Sequence, residues 1–123
     1  TFALLRSYEK MMWNHVLENM RDHLMALTAI QRHLALEEYE KATAAAENRL
    51  GMSSLNSHGT SHMARFMPTA MQQIGTQMHK AASRFAAIVE EDGLGGSTNK
   101  IAESLAGVVQ QCAACHSSYR VHP

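Results

Sequence analysis

The sequence is poor in the residues that end helices and in those that favour strands. Two prolines interrupt 123 residues, and β-branched side chains are few beside alanine, leucine, methionine and glutamine. This balance excludes a strand-rich fold and predicts an all-α chain. An excess of either charge is missing too, since 11 Lys and Arg meet 11 Asp and Glu. No basic field is therefore available for nucleic acid or for an anionic membrane surface. Apolar runs fall well short of the roughly twenty residues that span a bilayer. The sequence starts at Thr1 without the basic segment and apolar stretch of a signal peptide, so a mature chain with no membrane span is expected. Internal repeats, low-complexity tracts, a G-x-S-x-G elbow, a phosphate-binding loop and a dinucleotide fingerprint are all absent.

What is present is helical periodicity. The length suits one domain, residues 1–123, with a single core in which a bound cofactor would form a substantial share. Apolar residues recur at three- and four-residue intervals through Leu5, Tyr8, Met12, Val16, Met20, Leu24, Leu27, Ile30 and Leu34, which predicts a first helix over 4–34. Glu37 and Glu38 suit the start of a second helix, 37–50, that ends before Gly51. Nothing in the residues marks the break at Ala35 and Leu36; it is inferred because a helix of nearly fifty residues would be out of scale here. Ser53, Ser54, Asn56, Ser57 and Gly59 give the next stretch loop chemistry. A third helix over 67–91 carries the stripe Met67, Met71, Ile74, Met78, Phe85 and Ile88, with Pro68 suited to its first turn. Gly93, Gly95 and Gly96 turn the chain, Ser97 or Thr98 can cap, and Ile101, Leu105, Val108, Val109 and Cys112 define a fourth helix over 98–119. Four amphipathic helices joined mostly by short connections predict an antiparallel bundle, because each stripe can be buried only against the others.

The two cysteines fall together with a histidine in Cys112-Ala113-Ala114-Cys115-His116. Residues three and four apart share a helix face, so two thiols and an imidazole project to one side. C-x-x-C-H reads as covalent attachment of one haem c, with Cys112 and Cys115 in thioethers and His116 on the iron. A thioredoxin-like pair would need a βαβ context that the sequence lacks. A Cys2His2 zinc module is the other alternative, since His58 and His62 have H-x3-H spacing, but it leaves His116 without a role. His15, His23, His33 and His79 are expected as partly exposed or hydrogen-bonded surface histidines, with His23 the exception because it lies close to the inward stripe. Trp13 and Tyr8 are expected to fill core or a dimer seam.

The motif continued by x-x-Tyr-Arg, Cys112 to Arg120, at the end of a four-helix chain resembles the class II c-type cytochromes, the cytochrome c′ family. Most class I cytochromes c carry the motif near the N-terminus instead. The resemblance implies an exported, periplasmic haem protein that performs no enzymatic turnover. It also implies His116 as proximal ligand, Arg120 near the haem propionates, and often a homodimer packed through the first helices. In one branch of the family the distal residue on the first helix is apolar and the iron binds NO or CO. In the other a methionine closes the iron, and the protein passes single electrons to redox partner proteins. The first-helix stripe carries both Met12 and Met20, and the family's distal position, several turns before the end of that helix, implies Met20 as the distal ligand, with His23 and Met25 as substitutes, and an electron carrier as the expected function. A five-coordinate protein that binds a diatomic gas is the alternative.

Overall fold

The computed structural model describes residues 2–57, 63–93, 95 and 98–120, with side chains from residue 9 onward. Helix α1 spans Phe2–Ala35, α2 Tyr39–Arg49, α3 Thr69–Asp92 and α4 Thr98–Ser118, and no strand occurs among the described residues. Single 3-10 turns, Met52–Ser54 and Ala64–Phe66, shape the connection between α2 and α3. His58 and His62 of the zinc alternative lie outside the described residues, as do Ser97 and the side chains of Leu5 and Tyr8.

The break after α1, for which the sequence carries no glycine or proline, is made by hydrogen bonding. Glu37 takes the left-handed conformation with φ 58°. Its N–H reaches the Leu34 carbonyl at 3.1 Å, and the Glu38 N–H reaches His33 at 2.8 Å. This is the Schellman closure, normally built on glycine, and an L-residue holds it at a cost of about 1–2 kcal/mol. Ion pairing reinforces the corner. The Glu38 carboxylate accepts from Lys41 Nζ at 2.8 Å and lies 3.1 Å from His33 Nδ1, and these contacts, Lys41 first, hold its pKa below the ordinary value.

Helix lengths decide where the core ends. At 1.5 Å per residue, the 34 residues of α1 extend about 51 Å, whereas the 11 of α2 extend about 17 Å. Only the last third of α1 can therefore be covered by α2. The core gathers at that end: Ala26 and Ile30 of α1, Ala42 and Ala46 of α2, Phe85 and Val89 of α3 and Val108 of α4 are almost wholly buried. Ala42 and Ala46 share a face of α2, and Ala81, Ala82 and Ala86 meet them from α3, so those two backbones approach closely around Phe85. Toward the other end, α4 packs closely on α3, but α1 runs beyond α2 and hardly meets α4, and the bundle opens between them.

The connection after α2 is pinned to the core rather than left loose. The Glu47 carboxylate accepts from Ser53 Oγ at 2.6 Å and from its N–H at 3.3 Å, and the Ser53 hydroxyl, followed by Ser83, lowers its pKa. This tie is therefore intact at neutral pH and lost as the pH falls through the carboxylate range. The Met52 N–H donates to Ser83 Oγ at 2.9 Å. Further along, Gln72 Nε2 donates to the carbonyls of Ala64 and Met67 at 2.7 and 2.9 Å, which folds the second turn onto the start of α3. Met67, counted in the third-helix stripe by its spacing, is extended and precedes the helix.

Candidate haem site

The open end of the bundle holds a cavity of about 730 Å3. One wall is the last turns of α4, with Val109, Cys112, Cys115 and His116; the other is the middle of α1, with Val16, Asn19, Met20, His23, Leu24 and Leu27. Helix α3 forms the floor through Met71, Ile74, Gly75, Met78 and His79, and the connection adds Leu55 and Met63. The i, i+3, i+4 spacing thus does what helical geometry requires, since both thiols and the imidazole face one space.

The cysteines are free and half-buried. Burial raises both thiol pKa values above the ordinary one, with the neighbouring Cys115 adding a smaller upward push on Cys112. Both therefore stand as neutral S–H groups at neutral pH. His116 is exposed at the cavity wall and has no hydrogen-bond partner among the described residues.

Three expectations about α1 and α3 change in the structure. Leu24, placed on the inward stripe by its spacing, is 65% exposed, yet it lines the cavity, as does the partly exposed Val109. Both are apolar side chains whose partner surface is the cavity itself. Met25 is 64% exposed and does not line the cavity, because it sits about 140° around the helix from Met20. His79, expected near the surface, is 6% exposed. Its Nδ1 donates to the Leu50 carbonyl at 2.6 Å, and its ring meets that of His23 edge-to-face at 5.9 Å between centroids. No periodicity could have flagged His79, since it lies beside Met78 at the margin of the α3 stripe.

Met20 and His23, one helical turn apart, both line the cavity. Met12 lies instead in a smaller cavity of about 270 Å3 with Trp13, Phe66, Tyr119 and Arg120. The two spaces share Val16, Met63, Met67 and Met71. Trp13 Nε1 is buried with no hydrogen-bond partner among the described residues, an unusual state for an indole donor.

Gly75 is the remaining unexplained wall residue. A Cβ added there would meet no atom within 4 Å. Glycine inside a helix costs about 1 kcal/mol relative to alanine, and no protein neighbour requires it here.

No family model, curated protein or solved structure matches this chain.

Proposed function

We propose that this chain is a c-type cytochrome of the class II kind, a single-electron carrier with one covalent haem. The observation that carries this reading is the convergence of Cys112, Cys115 and His116 on one wall of an apolar cavity of about 730 Å3, a size suited to a cofactor. Gly75, which leaves room where no protein atom needs it, and the exposed apolar faces of Leu24 and Val109 support a flat apolar occupant. Cys112 and Cys115 would hold the haem in thioethers, and His116 would bind the iron. Arg120 and the unpartnered Trp13 N–H, together at the adjoining space, are donors suited to the haem carboxylates.

Haem bound there supplies a one-electron iron couple. The chain would supply the surroundings that tune it: Leu24, Leu27, Ile74 and Val109 would lie against the haem and cover it with apolar surface, which disfavours the more charged oxidised state. The α1 wall carries two side chains able to ligate iron, Met20 and His23, where an open gas-binding site would present only apolar ones. That favours an electron carrier over the NO- or CO-binding alternative. Export to the periplasm, where such haems are attached, is part of the proposal.

Absorption spectra of the protein purified from a host that attaches haem c test this reading. The ferric and ferrous forms should both be low-spin, CO uptake should be slow, and the intact mass should exceed that of the chain by one haem. Stoichiometric zinc in place of haem would overturn the assignment. A high-spin resting protein that binds CO at once would replace the carrier by the gas binder.

Gly75→Ala separates the haem-free from the haem-loaded chain. Without haem the substitution should stabilise α3 by about 0.5–1 kcal/mol, because alanine is the better helix former and the added methyl meets nothing. With haem attached the methyl enters occupied space, so the melting temperature should be unchanged or lower. An equal gain in both forms would show that the cofactor does not approach α3.

A further inference from the structure

Resting on the haem reading above, we propose that Trp13 is a positioning residue: its indole N–H binds one haem carboxylate and so fastens the stretch of α1 that α2 does not cover, which keeps the distal face of the iron closed. The smaller of the two adjoining spaces is built to receive an anion. Its lining is apolar apart from the Trp13 indole, the Tyr119 hydroxyl and the Arg120 guanidinium, and all three of these can donate. No side chain around either space carries a carboxylate, and Arg120 is the only Lys or Arg among them. Trp13 Nε1 is buried and has no partner among the described residues. A buried donor is costly to leave unpaired, and a haem carboxylate brings the acceptor that these side chains do not supply.

Both walls place this donor at the carboxylate end. The thioethers take one edge of a haem and the carboxylates leave from the opposite edge. Along α4 the order Cys112, Cys115, His116, Arg120 runs from the larger space into the smaller one, and along α1 the order His23, Met20, Val16, Trp13 does the same. Trp13 and Met20, seven residues apart, share a face of α1 at a separation of about 10 Å along its axis. The chain end that carries Arg120 is held to α4, since the Tyr119 N–H donates to the Cys115 carbonyl at 2.9 Å. A carboxylate between Arg120 and Trp13 therefore bridges two walls that hardly touch each other. Of its two bonds, the one to the exposed Arg120 is screened by solvent, whereas the one to the buried Trp13 N–H is not. Met20 and His23 lie on the same uncovered stretch of α1, so what fastens Trp13 also holds them against the iron.

The test uses haem-loaded protein, with covalent haem checked by intact mass. Trp13 is the sole tryptophan, so the ultraviolet resonance Raman indole bands report this N–H alone. In the wild type they should be those of a hydrogen-bonded indole. Trp13→Phe keeps an aromatic ring and loses the donor. It should raise the CO-binding rate about tenfold, the effect of losing one hydrogen bond to a charged group. It should also lower the reduction potential, because a carboxylate relieved of its donor presents more negative charge to the iron and favours the oxidised state. Trp13→His, whose ring nitrogen can donate, should move both values back toward wild type. Indole bands of an unbonded N–H in the loaded wild type would refute the proposal, and they decide it even if the variants fail to fold. A Trp13→Phe protein with the wild-type CO rate and potential would refute it equally. Absence of haem from the wild-type mass would instead refute the haem reading itself.

Discussion

Replacing Cys112 and Cys115 together by alanine should abolish covalent haem. After acid-acetone extraction the polypeptide should be colourless and its mass that of the bare chain, whereas the wild type stays coloured. The expected loss is complete because these are the sole cysteines of the sequence. Stability should fall with it. Helix α1 beyond the reach of α2 and the last turns of α4 face each other across the cavity with little direct packing, so a haem attached there would be what joins them. The thioethers would keep haem on the unfolded chain as well, but its apolar faces would be buried only in the folded one, so its removal should cost about 3 kcal/mol, on the order of 10 °C in melting temperature for a chain this long. Each single variant keeps one thioether and should remain coloured with an altered spectrum. Colour that survives extraction in the double variant would disprove the attachment.

His116→Ala should have the next largest effect, and of a different kind. Both thioethers persist, so the mass still includes haem, but the iron loses its proximal imidazole. The low-spin spectrum should give way to a high-spin one, and CO should bind at least about tenfold faster. Added imidazole should restore the low-spin form, because His116 is exposed and its removal opens a path from solvent without disturbing the core, which lies at the other end of the bundle. No other histidine lies on α4 to replace it. An unaltered spectrum would mean that a histidine from another element binds the iron.

The sequence by itself determined whatever depends on short-range spacing. Helix-forming composition and three- and four-residue apolar recurrence sufficed for an all-helical chain, because helices are closed by bonds within one segment. The same periodicity brought Cys112, Cys115 and His116 to one face, and the cavity wall they share is its direct consequence. The corner at Glu37 was already harder to read: its closure uses a left-handed glutamate where glycine would have announced it.

Only the tertiary structure decided what faces that motif. The stripe on α1 is continuous from Met12 to Leu34, yet its members part company according to which neighbour reaches them. Ile30 is covered by α2 and enters the core, Leu24 is left to the cavity, and Met12 falls into the smaller adjoining space. That division follows from the unequal lengths of α1 and α2, a comparison between segments rather than a pattern within one. His79 shows the same limit more sharply. Nothing local distinguishes it from a surface histidine; its character comes from the Leu50 carbonyl 29 residues away and from the His23 ring on another helix. A hydrogen bond across the fold fixes a tautomer, and no spacing along one chain can encode where that partner will be.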